Sequence, residues 1–285
     1  MESMLWTRLT DGRLRCGLCA HACVLSPGQR GRCGVRCNHE GQPLSLVDGL
    51  VTGVQADPVE KKPLYHFLPG SRTFSVGSAG CNFSCRFCQN HHISRDPLEQ
   101  ERIRGHEATP EMLVEAALRT ACRSLAFTYN EPLVGYEFVY DTARLLKEVG
   151  LATVLVTNGQ IEKDSWLHLL PYIDAVNIDL KGFTQSFYDW IGGDLKTTKA
   201  AIEMAAEDGV HVEVTTLVIP GKNDSAAEMA AEAEWLAGIS AELPLHLSRY
   251  FPRYQSRIPM TPVETLQNLR HVAEVRLRFV HLGNI

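Results

Sequence analysis

The feature that most narrows the fold is an alternation that begins after Pro69-Gly70 and continues to the carboxyl end of the 285-residue chain. Short β-branched runs occur at Thr73 to Gly77, Ser124 to Tyr129, Ala152 to Thr157, Ala175 to Leu180, Val210 to Ile219, Pro244 to Ser248 and Arg276 to His281. Between them lie stretches with helical apolar spacing: Pro110 to Ala121, Leu133 to Glu148, Ser165 to Leu170, Thr197 to Glu207, Ser225 to Ala237 and Pro262 to Ala273. Strands joined only through crossover helices run parallel. Six or seven such strands are fewer than a closed (β/α) barrel requires. The pattern therefore predicts an α/β fold, a partial (β/α) barrel, with its functional groups at the carboxyl ends of the strands.

Residues 1–70 have a different texture, rich in Cys, Gly and Pro, with a hairpin expected across Leu44 to Val54 around Asp48-Gly49. This predicts a small Cys-rich, metal-stapled domain over 1–70 ahead of a barrel over 71–285. A net charge of -5 gives no overall pull toward nucleic acid or an anionic membrane. The chain starts without a signal-type apolar core, and no apolar run approaches the ~18 residues of a membrane span. A soluble, cytoplasmic protein is the expectation. In a reducing compartment nine cysteines point to metal ligation or redox chemistry, not to disulfides.

Their placement is uneven. Five lie between Cys16 and Cys37, three between Cys81 and Cys88, and Cys122 stands apart. Directly after the first barrel strand comes Gly80-Cys81-Asn82-Phe83-Ser84-Cys85-Arg86-Phe87-Cys88-Gln89-Asn90. Three thiolates on one short loop can hold three corners of an iron-sulfur cubane and leave one iron open to an amine and a carboxylate. A structural zinc ion takes four protein ligands, so zinc here would need His91 or His92 as well.

The C-x3-C-x-aromatic-C loop, with Phe87 before its last cysteine, resembles the signature of the radical S-adenosylmethionine (SAM) superfamily. More narrowly the chain resembles activating enzymes of the pyruvate formate-lyase type, and most of all the radical SAM members of the AmmeMemoRadiSam system. That resemblance runs through Arg15-Cys16-Gly17-Leu18-Cys19, Gly31-Arg32-Cys33-Gly34-Val35, Glu60-Lys61-Lys62-Pro63-Leu64-Tyr65-His66-Phe67, Cys88-Gln89-Asn90, Val214 to Gly221 and Leu282-Gly283-Asn284. It implies a [4Fe-4S] cluster on Cys81, Cys85 and Cys88, SAM as the second cofactor, and reductive cleavage of SAM to a 5′-deoxyadenosyl radical that abstracts hydrogen. It implies an electron donor such as flavodoxin or ferredoxin, and leaves the substrate open, a protein if the chain acts as an activase.

The resemblance also assigns the SAM-binding groups. Phe87 accompanies the cysteine loop. Glu131, in Thr128-Tyr129-Asn130-Glu131-Pro132, stands where the superfamily has Gly-Gly-Glu-Pro and would accept from the methionine amine, with Tyr129 and Asn130 replacing two glycines. Thr157 belongs to Val156-Thr157-Asn158-Gly159, in which Val156 replaces an acid. Asp179 and Lys181 match the activases' Asp-x-Lys and share one side of an extended segment. The exit Val218 to Asp224 would meet the adenine through its backbone.

Cys16, Cys19, Cys23 and Cys33 supply four more thiolates, enough for a second, closed centre, with Cys37 a spare. An auxiliary iron-sulfur cluster and a structural zinc ion both suit them, and the sulfur chemistry of the barrel loop tips the expectation toward the cluster. Tyr65, His66 and His246 are expected at the barrel rim, and Cys122 in the core. Two non-catalytic classes compete with the enzyme: an iron-sulfur electron carrier and a zinc-stapled module that binds RNA or protein.

Overall fold

The computed structural model describes residues 5–96 and 103–285. Its centre is one eight-stranded sheet formed by β1 (Gly53–Pro58), β2 (Arg72–Gly77), β3 (Ser124–Phe127), β4 (Ala152–Thr157), β5 (Ala175–Asp179), β6 (His211–Val218), β7 (Leu245–Arg249) and β8 (Val280–Gly283). The strands lie side by side in chain order, β2 to β8 parallel and β1 antiparallel on β2. The sheet ends at β1 on one edge and β8 on the other, which makes the barrel partial.

Besides the single turn His91–Ser94, the strands are connected or flanked by helices α1 (Pro110–Arg119), α2 (Tyr136–Glu148), α3 (Lys163–Leu169), α4 (Gln185–Ile191), α5 (Leu195–Glu207), α6 (Ala226–Ile239) and α7 (Val263–Ala273). Their starts follow local chemistry: Thr109, Thr184, Asp194 and Ser225 each cap a helix by accepting a backbone N–H in its first turn. Helix α4 was not expected from the sequence. It is two turns long, too short for periodicity to stand out, and Gly192 ends it in the left-handed conformation. Among the described residues no helix is long and apolar enough to cross a membrane.

The hairpin expected around Asp48-Gly49 does not form. The chain instead reverses one loop earlier, where Arg36–His39 pairs with Gln42–Ser45. Glu40 and Gly41 both take positive φ there, the geometry that a two-residue hairpin turn needs. Leu50–Val51 pairs with His106–Glu107, and β1 joins the main sheet. The amino-terminal segment thus contributes a strand to the barrel sheet, and its Leu5, Trp6, Leu14 and Leu25 pack in the same core as Phe74, Leu125 and Trp166.

Residues 59–67 cross the inside of the sheet. Lys62 Nζ pairs with Asp57 at 2.9 Å, Asn177 Nδ2 donates to the Pro63 carbonyl at 2.8 Å, and the N–H groups of Tyr65 and His66 donate to Glu213. Val59 and Leu64 pack on Ala126, Val154 and Ala175. This segment fills the interior, so the space left within the barrel lies toward the carboxyl ends of the strands.

Candidate functional site

A cavity of about 340 Å³ opens at those carboxyl ends. It collects residues that are far apart in sequence: Cys81, Cys85 and Cys88 from the loop after β2, Glu131 after β3, Thr157 at the end of β4, and Asp179 and Lys181 at the end of β5. Phe87 also lines it, buried against Trp190 and Tyr250. The three cysteines, Phe87, Glu131, Thr157, Asp179 and Lys181 therefore border one space, whereas residues 218–224, expected to meet the adenine, do not line it. His91 and His92 do not: the His91 ring stacks on Tyr254, and its Nδ1 lies 3.4 Å from Asp96.

The loop is held by its own backbone and by its neighbours. Gly80 N donates to the Ile93 carbonyl, and Gly80 adopts φ +86°, where an added Cβ would come within 2.6 Å of Val35 and 2.7 Å of the Cys33 carbonyl. Only glycine fits there. Cys88 Sγ lies 3.1 Å from Ser94 Oγ. Burial pushes the Cys81 thiol well above its ordinary range, helped by the negative charge of Glu131, and pushes Cys85 up to about 12 despite the pull of Lys181. These sulfurs lose water without gaining a protein cation strong enough to hold them as thiolates.

Glu131 is buried at the centre of the polar wall. Its Oε1 accepts from Leu133 N at 3.0 Å and Thr157 Oγ1 at 2.7 Å, and its Oε2 accepts from Asn158 N at 2.8 Å. Burial nevertheless outweighs these donors and raises its carboxyl to about 7. The Thr157 hydroxyl is thus aimed at Glu131. Asp179 and Lys181 form an ion pair at 2.8 Å. Burial opposes the Lys181 charge, but Asp179 and Cys85 outweigh it and hold the ammonium above its usual range.

Sequence reasoning missed several groups. Asn158 Nδ2 donates to Asn82 Oδ1 at 2.7 Å, tying the β4 exit to the cysteine loop. Lys61 and Lys62 line the cavity, although in the sequence the run Glu60 to Phe67 carries only a family likeness. Tyr129 adopts φ +75°, and its carbonyl accepts from Asn90 Nδ2 at 2.7 Å. The signal for Tyr129 lies in the likeness to Gly-Gly-Glu-Pro, in which it takes the place of a glycine: the backbone has a glycine-like conformation with a bulky side chain on it. Tyr65, His66 and His246 gather elsewhere, around Glu213 near the amino-terminal ends of β6 to β8.

The four amino-terminal cysteines, Cys16, Cys19, Cys23 and Cys33, surround a separate enclosed space of about 20 Å³, together with Arg32 and Arg36. Cys37 does not line it. Burial raises Cys19 to about 12. As they stand, no three Cys, His, Asp or Glu side chains among the described residues are gathered as a site for a single metal ion.

Comparison with known proteins agrees with this architecture. The model of the radical SAM superfamily matches residues 75–233. An uncharacterized protein of Methanocaldococcus jannaschii is 39% identical over 287 residues, covering 100% of this chain and 85% of its own length. The pyruvate formate-lyase-activating enzyme of Clostridium pasteurianum is 29% identical over 164 residues, 55% of this chain and 66% of that one. Among solved structures, a radical SAM methyltransferase from Sphaerobacter thermophilus superposes with a TM-score of 0.56 at 19% identity, over 76% of this chain and 67% of the other. That likeness is one of fold. The family match over more than half the chain establishes that this chain belongs to the radical SAM superfamily, whose fold implies a [4Fe-4S] cluster and SAM.

Proposed function

We propose that Cys81, Cys85 and Cys88 hold a [4Fe-4S] cluster, that SAM occupies the adjoining cavity, and that the substrate is a second protein, as for an activating enzyme. The observation that carries this reading is the convergence of three thiols from one loop with Glu131, Asp179 and Lys181 on a single 340 Å³ space. The donor set fits: a thiophilic cation would supply the positive charge that these buried sulfurs lack. When bound, the pair would supply one-electron reductive cleavage of SAM, with the electron from a flavodoxin- or ferredoxin-type donor, and hydrogen abstraction from the substrate.

The chain's own groups bind and orient. Glu131, short of counter-charge, accepts from the ligand's ammonium, and that positive neighbour favours the ionised carboxylate. Thr157 and the Asn158 N–H fix the direction of its lone pairs. Lys181, poised by Asp179, meets the ligand's carboxylate or ribose. Phe83, Phe87 and Leu217 supply apolar wall that keeps water from a reactive centre.

The zinc-module and electron-carrier readings are weaker. Neither candidate histidine borders the cavity to complete a zinc shell, and an electron carrier has no use for a polar chamber beside its cluster. Anaerobic reconstitution should give about four irons and four sulfides per chain at the barrel site, and a reductant with SAM should release 5′-deoxyadenosine. Iron and sulfide that fail to bind, with no 5′-deoxyadenosine formed, would overturn the reading.

A further inference from the structure

The four amino-terminal cysteines form a site unlike that of the barrel loop. Cys16 sits on a short strand (Leu14–Cys16) that pairs on one side with Trp6–Arg8 and on the other with Val24–Leu25, and Cys23 immediately precedes Val24. Cys19 lies on the connection between these two strands, and Cys33 on the next loop. All four line one enclosed space of about 20 Å³. A single water-sized occupant needs roughly 10–15 Å³ on such a measure. As the thiols stand, the space has room for one ion, and four thiolates complete a tetrahedral shell with no ligand from elsewhere.

A second observation points the same way. Arg36 is buried and borders this space, and both terminal nitrogens of its guanidinium are taken by Glu137, at 2.7 and 2.8 Å. Its Nε is buried and has no hydrogen-bond partner among the described residues. A buried N–H normally has an acceptor, and the carboxylate of Glu137 is already engaged at the far end of the fork. A metal-bound thiolate carries the negative charge and lone pairs to accept from it, and Arg32 on the same wall adds further positive charge.

We infer that Cys16, Cys19, Cys23 and Cys33 close around a single zinc ion, a tetrathiolate staple with Arg36 Nε as a donor to one of its sulfurs. Metal capture and closure of the thiols are one event, as in small metal-stabilised domains. Zinc and an auxiliary cluster both suit these cysteines from the sequence, which tips toward the cluster; a closed set of four thiolates around so small a space is the ground for choosing zinc. This inference is independent of SAM cleavage.

The test uses the full chain carrying Cys81→Ala, Cys85→Ala and Cys88→Ala together, purified anaerobically without chelator. Elemental analysis of the folded variant should find about one zinc per chain and no acid-labile sulfide. Adding Cys37→Ala should leave that zinc in place, whereas adding Cys19→Ala should remove it. Iron at this site, with or without sulfide, overturns the inference, as does a folded triple variant with less than half an equivalent of zinc. So does loss of zinc on Cys37→Ala. Should the triple variant not fold, zinc-edge X-ray absorption of the unaltered protein decides: four sulfur neighbours at about 2.3 Å support the staple, and nitrogen or oxygen neighbours, or no zinc, overturn it.

Discussion

Two buried glutamates at opposite ends of the barrel meet opposite fates. Glu213, near the amino-terminal end of β6, accepts from Tyr65 N, His66 N, His211 Nε2 and His246 Nε2, the last at 2.6 Å. Burial opposes its charge, but these four donors prevail and hold its carboxyl well below the ordinary range. Glu131, after β3, has three donors and no cationic partner among the described residues, and its carboxyl rises to about 7. The protein completes the electrostatics of one end from its own side chains. At the other it leaves a carboxylate, three thiols and a strained tyrosine facing open space. A group short of its partner marks where a ligand is to supply it.

The largest effect that sharpens this contrast is expected from Cys85→Ala. Reductive SAM cleavage should fall to background, while the thermal midpoint moves by no more than about 4 °C, the shift that roughly 1 kcal/mol produces in a domain of this size. A collapse of the fold, seen by circular dichroism, would place this end of the barrel in the structural class with Glu213.

Glu213→Gln should do the reverse. It removes the anion beside two histidines and turns one acceptor into a donor against backbone N–H groups, a cost of about 3 kcal/mol for a broken buried network. The acid limb of stability should also flatten. Because the folded-state value lies below that of a free glutamate, about 4.3, the unfolded chain binds more protons in that window. Stability from Glu213 is therefore fully present above that value and is lost as pH falls toward the folded one. Urea titrations at pH 7 and pH 4 check this, and an unchanged slope between them would break the comparison.

Glu131→Gln should cost less and act on binding. A neutral isostere escapes the burial penalty that raises the carboxyl, which offsets its poorer acceptance, so stability changes by less than about 1 kcal/mol. SAM affinity should drop roughly tenfold, the lower range for losing a charged hydrogen bond. Calorimetric titration of the reconstituted protein gives the number, and an unaltered affinity would remove Glu131 from the ligand's surroundings.

How much of this was legible in the sequence depends on the range of the signal. The strands from Thr73 onward stood out because β-branched runs are local, and the cysteine loop because three ligands within eight residues constrain one another. The path of residues 59–67 through the barrel was not legible: Lys62, Tyr65 and His66 find Asp57 and Glu213 only once the sheet has curved around them. The hairpin at Asp48-Gly49 failed for a related reason. Its flanks have better partners elsewhere, Leu50 and Val51 on Glu107 and His106, and β1 on β2. Local turn chemistry proposed a pairing that tertiary contacts outbid.

The smallest effect tests the strain at the ligand-facing end. Tyr129 at φ +75° carries a left-handed cost of about 1–2 kcal/mol for a residue with a Cβ. It is held there by its hydroxyl on Asp57 at 3.0 Å, by Lys62 Nζ 4.8 Å from its ring centroid, and by Asn90 on its carbonyl. Tyr129→Ala and Tyr129→Gly lose the same side-chain contacts, but only glycine also sheds the strain. At an ordinary position alanine is the more stabilising of the two by roughly 0.5–1 kcal/mol, since glycine gives up more freedom on folding. Here the order should invert, with the glycine variant more stable by about 1 kcal/mol in chemical denaturation, and with SAM affinity kept because the backbone path past Asn90 is unchanged. An alanine variant as stable as the glycine one, or more so, would mean that the strand exit relaxes freely, and the strain would then be no part of how this end of the barrel is held ready for its ligand.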